Sequence, residues 1–282
     1  MTSISESTAS FTGSKDLRIF YRCLPAADER ARIVIAHGLG EHCGRYQHVM
    51  EMLAGNGLSV WALDHRGHGQ SDGNRGHIDS FDQYIQDLRQ LIEIARKDLP
   101  ENRKCFLLGH SMGGLLVLNF AYKHARLIDG VIASSPGLAP AQPPSRIKSA
   151  LGSIMSVLRP KLAFDNELDS RFLSHDAEVL AAYDNDPLVH QWVTARWFTQ
   201  YLNAMKETMD AAPAIKTPIL MQVAGVDHLV NPQASRQFFE KLSLADKKLC
   251  FYDGLYHEIY NEVDKRRENV LNDLENWLME HI

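Results

Sequence analysis

A serine lies in the motif GHSMG at positions 109–113, between two apolar stretches. The motif matches G-x-S-x-G, in which a tight strand-to-helix turn exposes the serine hydroxyl as a nucleophile. Glycines leave room for that turn, and the N-terminus of the following helix favours negative charge. The alternative is a glycine-rich turn in which Ser111 only caps the helix. Because an apolar run precedes the motif and a helical pattern follows it, we interpret Ser111 as a nucleophile.

A serine hydroxyl is a poor nucleophile unless a base takes its proton and an acid orients that base. With this motif the three residues follow the chain order serine, acid, histidine. Asp227 ends the apolar run at 217–227, and His257 follows the next run at 247–254. Both therefore fall at the carboxyl ends of predicted strands, as Ser111 does, and we predict that the three form a triad. The alternative for His257 is a solvent-bonded residue at a helix N-terminus.

Other acids and histidines compete for these two roles. Asp184 and Asp186 fall in a long insertion, and Asp253 comes too early in its turn. His228 adjoins the predicted acid, and we expect it to point elsewhere. His37 precedes a glycine at the end of a predicted strand, so we expect it to hydrogen-bond the next loop rather than act as the base.

Attack by the serine creates a negatively charged oxygen, which needs preorganised N–H donors. One donor should be the N–H of Met112, the residue after the nucleophile. The other should come from the loop HGLGEH, most simply from the N–H of Leu39. Each such donor is typically worth about 3 kcal/mol in the transition state.

The apolar runs that carry these residues are short and rich in β-branched side chains, as in strands buried on both faces of a parallel sheet. They lie at 31–38, 58–69, 104–111, 128–136, 217–227 and 247–254, after a half-buried edge strand at 16–24. Amphipathic helical patterns alternate with them, the clearest at 80–99 with Ser80 as its expected N-cap. This alternation predicts a doubly wound α/β sheet.

One connection is far too long for a simple crossover. The segment 137–216 contains a proline-rich turn and helical patterns but no clear strand, which predicts a helical insertion. We expect a core of 1–136 and 211–282, with a cap of 137–210. Two cap segments, 145–158 and 190–205, carry apolar stripes. One stripe comprises Ile147, Leu151, Ile154, Met155 and Leu158. These stripes either pack the cap onto the core, or line an acyl channel or touch a membrane.

The composition excludes several classes of protein. The 282 residues carry a net charge of −5, which gives no basic footprint for nucleic acid. The four cysteines lack C-x-x-C spacing, so we expect reduced thiols and no structural zinc. The N-terminal residues show no secretory signal, and no apolar window is long enough to span a bilayer. We therefore expect a cytoplasmic protein without a metal, an organic cofactor or an obligate protein partner, and leave peripheral membrane contact through the cap open.

Five motifs together resemble a known family. They are HGLGEHCGRY (37–46), DHRGHGQSDG (64–73), GHSMGG (109–114), YDNDPLV (183–189) and HEIYNE (257–262). The pattern is similar to that of the monoacylglycerol lipase and lysophospholipase group of α/β-hydrolases, within the serine aminopeptidase S33-like superfamily. The similarity spans nearly the whole chain, and the first and third motifs are the most specific. The resemblance implies an α/β-hydrolase fold: a mostly parallel eight-stranded sheet, helices on both faces, and a helical cap after the sixth strand.

The resemblance implies the same triad and the same oxyanion donors as the residues themselves do. It also implies that Glu41, Arg45 and Tyr183 lie near the polar end of a substrate pocket. The function implied is a serine hydrolase that cleaves esters of single-chain lipids, with monoacylglycerol giving fatty acid and glycerol through an acyl-enzyme.

Other functions remain open on this fold. A lysophospholipase or a short-chain carboxylesterase would use the same triad, and an aminopeptidase is less favoured. A dehalogenase or an epoxide hydrolase has an aspartate where Ser111 stands. A non-catalytic ligand receptor usually lacks a triad member, whereas all three positions are filled here.

Overall fold

The computed structural model describes residues 5–282, and the described chain forms an eight-stranded sheet and a separate two-stranded sheet. The strands of both sheets are β1 (Ser7–Thr12), β2 (Arg18–Leu24), β3 (Ala31–Ala36), β4 (Leu58–Leu63), β5 (Cys105–His110), β6 (Gly130–Ser134), β7 (Ala163–Asp165), β8 (Trp192–Thr194), β9 (Ile219–Ala224) and β10 (Lys247–Tyr252). Residues 1–4, which begin the segment in which we expect no secretory signal, lie outside the described residues.

The large sheet has the strand order β1-β2-β4-β3-β5-β6-β9-β10. From β4 to β10 the neighbouring strands run parallel, while β1 and β2 add an antiparallel edge. The predicted α/β-hydrolase fold with a mostly parallel eight-stranded sheet is therefore confirmed, as is the insertion after the sixth strand.

One edge of the sheet differs from the sequence prediction. The expected edge strand at 16–24 is β2, and β1 pairs with it on the outer side. The sequence of β1, STASFT, is almost entirely exposed and has little apolar content. The prediction of 16–24 as the edge strand is therefore wrong. The sequence did not reveal β1, because an exposed polar strand shows no alternation of apolar and polar residues.

Helices cover both faces of the sheet. They are α1 (Gln47–Gly55), α2 (Asp82–Arg96), α3 (Met112–Lys123), α4 (Arg146–Leu158), α5 (Ala177–Asp184), α6 (Ala195–Ala211), α7 (Pro232–Lys241) and α8 (Asp264–His281). Successive residues of β3 alternate between the two cores: Val34 packs with α2 and α3, and Ile33 packs with α1 and α8. Within residues 5–282, no helix combines the length and the apolarity needed to cross a bilayer.

The helix predicted at 80–99 begins slightly later than expected. It starts at Asp82, so its N-cap position is Phe81 and the assignment of Ser80 as N-cap is wrong. The hydroxyl of Ser80 still accepts the N–H of Asp82, at 3.3 Å. The side chain of Gln83 accepts the N–H of Asp79 at 2.8 Å, which satisfies a second donor at this end.

The insertion after β6 is mainly helical, as predicted, but it contains the short antiparallel pair β7 and β8. The expectation of no strand there is wrong, because three residues are too few to show a period of two. Helix α6 anchors the insertion to the core: Trp197 is buried, and its indole N–H donates to the hydroxyl of Tyr84 at 3.2 Å.

Candidate active site

Ser111 lies at the turn between β5 and α3, at the carboxyl end of the sheet. Its φ of 55° and ψ of −115° place a non-glycine residue in a rarely populated region, as the predicted nucleophile turn requires. Backbone packs closely against the motif: a Cβ on Gly109 would lie 2.1 Å from the carbonyl oxygen of Gly113. A Cβ on Gly113 would lie 2.1 Å from the carbonyl oxygen of Ala36. The strain at Ser111 is therefore held by close backbone contacts on both sides.

Asp227 and His257 form a buried pair. Oδ2 of Asp227 lies 2.6 Å from Nδ1 of His257, and Oδ1 accepts the N–H groups of Leu229 and Val230 at 2.9 and 3.0 Å. Burial favours the neutral form of Asp227, but the attraction of His257 and these hydrogen bonds outweigh it and lower the pKa of the carboxyl. Burial likewise favours neutral His257, but Asp227 outweighs it and raises the pKa of the imidazole.

The competing residues occupy other environments. The ring of His228 packs on Phe172, with centroids 4.2 Å apart, so it points elsewhere as expected. Asp186 accepts a hydrogen bond from Nε2 of His42 at 2.8 Å. His37 is fully buried, with Nδ1 2.7 Å from the carbonyl oxygen of Gly38, and its predicted role of supporting this loop is confirmed.

Ser111 and His257 both line one small cavity. It is lined by Gly38, Leu39, Glu41, His110, Ser111, Leu168, Leu173, Tyr183, His257 and Glu258. Its volume of about 20 Å³ is close to the space that one water molecule needs. Leu168 and Leu173 belong to the insertion, so part of the insertion borders the space beside Ser111.

The two predicted oxyanion donors, the N–H groups of Leu39 and Met112, lie beside Ser111. Met112 is the first residue of α3, so its N–H has no carbonyl partner within the helix. Leu39 lies in a loop that is held on both sides of it. The N–H of Gly38 donates to Oε1 of Glu41 at 2.6 Å, and the carbonyl of Gly40 accepts the N–H of His190 at 2.9 Å.

The three residues predicted to lie at the polar end of the pocket are close together. Arg45 donates to Oε2 of Glu41 at 3.0 Å, and the ring of Tyr183 lies 4.7 Å from the guanidinium of Arg45. Glu41 and Tyr183 line the cavity, whereas Arg45 does not. The hydroxyl of Tyr183 is buried and has no hydrogen-bond partner within the described chain.

Sequence reasoning missed one acidic residue of this site. Glu258 directly follows His257, lines the cavity, and binds Arg45 through both carboxylate oxygens, at 2.5 and 2.7 Å. Glu258 stood in the motif HEIYNE next to the predicted base, but nothing in the sequence linked it to an arginine 213 positions away.

Comparison with known proteins places this geometry in a family. A family model described as serine aminopeptidase, S33 matches residues 27–264. The monoacylglycerol lipase of Mycolicibacterium smegmatis is 34% identical over 100% of both chains. The monoglyceride lipase of Rattus norvegicus is 33% identical, over 92% of this chain and 85% of its own. The crystal structure of Paleococcus ferrophilus monoacylglycerol lipase is 33% identical with a TM-score of 0.84, over 99% of this chain and 100% of its own.

These matches cover nearly the whole chain and agree with the motifs, the sheet topology and the position of the insertion. The chain therefore belongs to the monoacylglycerol lipase family of α/β-hydrolases.

Proposed function

We propose that the protein hydrolyses monoacylglycerol to fatty acid and glycerol, with Ser111, Asp227 and His257 as its catalytic triad. One observation carries this proposal: the strained Ser111 shares a small cavity with a histidine that is bonded to a buried aspartate. Relatives of this chain are named monoacylglycerol lipase and monoglyceride lipase, which supports a monoacylglycerol substrate.

The geometry suits acyl transfer through a covalent intermediate. Nδ1–H of His257 donates to Asp227, which leaves Nε2 free to take the proton of the Ser111 hydroxyl. As Ser111 attacks the ester carbonyl, the N–H groups of Leu39 and Met112 stabilise the oxyanion. His257 then protonates the departing alcohol, and in the second half it activates the water that releases the fatty acid.

The polar end of the cavity suits an uncharged alcohol. Because the buried hydroxyl of Tyr183 lacks a partner among residues 5–282, a glycerol hydroxyl would satisfy it. Glu41 can accept a hydrogen bond from a second hydroxyl. Arg45 remains a predicted substrate-binding residue, although both Glu41 and Glu258 already accept its N–H groups. Because Glu258 and Glu41 already bind the guanidinium of Arg45, this end offers a phosphate no uncompensated positive charge, which disfavours a lysophospholipid.

The cap, proposed as 137–210, presents an apolar surface that suits contact with lipid. Along α4, Ile147 is 80% exposed, Leu151 56% and Ile154 55%. Other large apolar side chains of the cap are also exposed, namely Val157, Leu158, Leu162, Phe164 and Trp192. A patch of this kind marks an interaction surface, and monoacylglycerols reside in membranes and micelles. We infer peripheral membrane contact through this patch, on an otherwise cytoplasmic protein.

A substrate panel tests the proposed function. Wild-type protein is assayed on a long-chain monoacylglycerol, a diacylglycerol, lysophosphatidylcholine and p-nitrophenyl butyrate. We expect kcat/KM to be highest on the monoacylglycerol, and much lower on the lysophospholipid because of its phosphate. Preference for lysophosphatidylcholine would instead assign a lysophospholipase. Activity confined to the p-nitrophenyl ester would assign a short-chain carboxylesterase.

A further inference from the structure

Glu258 lies in the loop that carries His257, and its carboxylate binds the buried Arg45. It is 4% exposed and follows His257 directly in the chain. Its carboxylate receives both N–H groups of one edge of the Arg45 guanidinium, and Oε2 also accepts from the side chain of Asn261 at 2.9 Å. Its own N–H donates to the carbonyl of Leu173 at 2.8 Å. Both the side chain and the backbone of Glu258 are therefore fixed.

Arg45 also reaches the opposite side of the site. Its Nη1 bonds Oε2 of Glu41, whose Oε1 accepts the N–H of Gly38 at 2.6 Å and the hydroxyl of Tyr46 at 2.8 Å. Gly38 precedes Leu39, the proposed oxyanion donor. A continuous series of hydrogen bonds thus connects the oxyanion loop to the residue beside the catalytic base.

The charged groups of Glu258 and Arg45 are buried, and each is stabilised by the other. Burial favours neutral Glu258, but Arg45 outweighs it and holds the pKa of that carboxyl well below its usual range. Burial opposes the charge of Arg45 as well, yet Glu258 and Glu41 raise its pKa. Glu258 therefore stays ionised at working pH. A bidentate arginine–carboxylate pair fixes both the distance between the two side chains and their relative orientation, because the guanidinium is planar and donates two parallel N–H groups.

We propose that Glu258 is a positioning residue which, through Arg45, keeps the histidine loop and the oxyanion loop in their catalytic arrangement. This role should not depend on the alcohol part of the ester, because Glu258 positions the groups that attack and stabilise the acyl carbonyl. The proposal rests on the assignment of Ser111, Asp227 and His257 as the triad.

A pH effect distinguishes this role from a purely structural one. The charged or titratable groups around His257 are Asp227, Glu258, Glu41, Arg45 and His110. After Asp227, the negative charge of Glu258 favours the imidazolium most, and Glu41, whose own pKa is raised by burial, adds a smaller effect. Glu258→Gln removes one of the negative charges that raise the pKa of His257, so this pKa falls. The acid limb of the kcat/KM profile should then move to lower pH.

The test compares Glu258→Gln with wild type on monoacylglycerol and on p-nitrophenyl butyrate. We expect kcat to fall about 10²-fold on both esters with little change in KM, because the reacting groups are misplaced while binding persists. The acid limb of kcat/KM should shift to lower pH on both. A loss confined to monoacylglycerol would overturn the proposal and make Glu258 an alcohol-binding residue. Wild-type kcat on both esters would overturn it as well.

Asp87→Asn is the matched control. Asp87 forms a second buried bidentate pair, with Arg66 at 2.6 and 2.7 Å, and neither residue lines the cavity. Asp87→Asn should lower the melting temperature without moving the pH profile of kcat/KM. If Glu258→Gln fails to fold, Arg45→Lys decides instead, because it keeps the buried positive charge and removes only the fork. Wild-type kcat in Arg45→Lys on both esters would overturn the proposal.

Fluorophosphonate labelling separates this proposal from that of the triad. Glu258→Gln should still be labelled at Ser111, but more slowly than wild type. If Ser111→Ala retains activity, the triad assignment fails, and the positioning role fails with it. If Ser111→Ala is inactive while Glu258→Gln is labelled and turns over at the wild-type rate, only the positioning role fails.

Discussion

The carboxylate of Asp227 holds His257 with one oxygen and is itself held through the other. Oδ2 lies 2.6 Å from Nδ1 of the imidazole, and Oδ1 accepts two backbone N–H groups of the loop that follows. The aspartate therefore cannot rotate away without losing both sets of hydrogen bonds. This arrangement favours the tautomer with its proton on Nδ1, which leaves Nε2 able to accept a proton.

Asp227→Asn should lower kcat by about 10⁴-fold. An amide can donate to Nδ1, which favours the tautomer with its proton on Nε2, and that nitrogen can then no longer accept the serine proton. The measurement is kcat on p-nitrophenyl butyrate, with the melting temperature as a control for folding. Nearly full activity in a folded Asp227→Asn protein would show that another acid serves His257.

The kcat/KM of the wild-type enzyme should fall as the pH drops through a value above 6.5. That value is the ordinary pKa of histidine, and Asp227 raises the pKa of His257 above it despite burial. His257 is protonated below its pKa and cannot act as a base, so activity is lost on the acid side. A full pH profile on a soluble ester measures this. An acid limb with its midpoint below 6 would contradict the raised pKa.

Leu151→Glu should selectively reduce activity on long-chain monoacylglycerol presented in vesicles. Leu151 is 56% exposed in the apolar patch of α4, so a charge there should cost about 1–3 kcal/mol of lipid binding with little effect on the fold. Activity on p-nitrophenyl acetate should change little, because that ester is soluble. Ser153→Glu, on the same helix at another exposed position, is the control for charge alone. Equal losses on both substrates, together with a lower melting temperature, would indicate that Leu151 packs the cap instead.

Gly113→Ala should lower both stability and activity. A Cβ there would lie 2.1 Å from the carbonyl oxygen of Ala36, so backbone would have to shift, at a cost of about 1–3 kcal/mol or more. The shift should also displace Ser111. Gly55→Ala is the matched control, since a Cβ at the end of α1 meets no atom within 4 Å. Thermal melting and kcat measure the two effects, and an unchanged Gly113→Ala protein would refute the close packing of this turn.

The sequence predicted the parts of the site that leave a local signal. Ser111 lies in a short motif between a strand and a helix, and Asp227 and His257 follow apolar runs in a fixed chain order. Strand β1 escaped prediction because its residues are exposed and polar, and β7 and β8 because they are three residues long. Glu258 escaped because its role depends on Arg45, which only the tertiary fold brings into contact.

The most direct test of the account is Ser111→Ala, assayed for fluorophosphonate labelling and for hydrolysis of a long-chain monoacylglycerol. The substitution removes one oxygen atom at a position whose backbone is fixed by its neighbours, so the melting temperature should be unchanged. We predict that labelling is abolished and that kcat falls by about 10³-fold or more. A Ser111→Ala protein that melts normally and retains activity within about tenfold of wild type would contradict the assignment of Ser111 as the nucleophile.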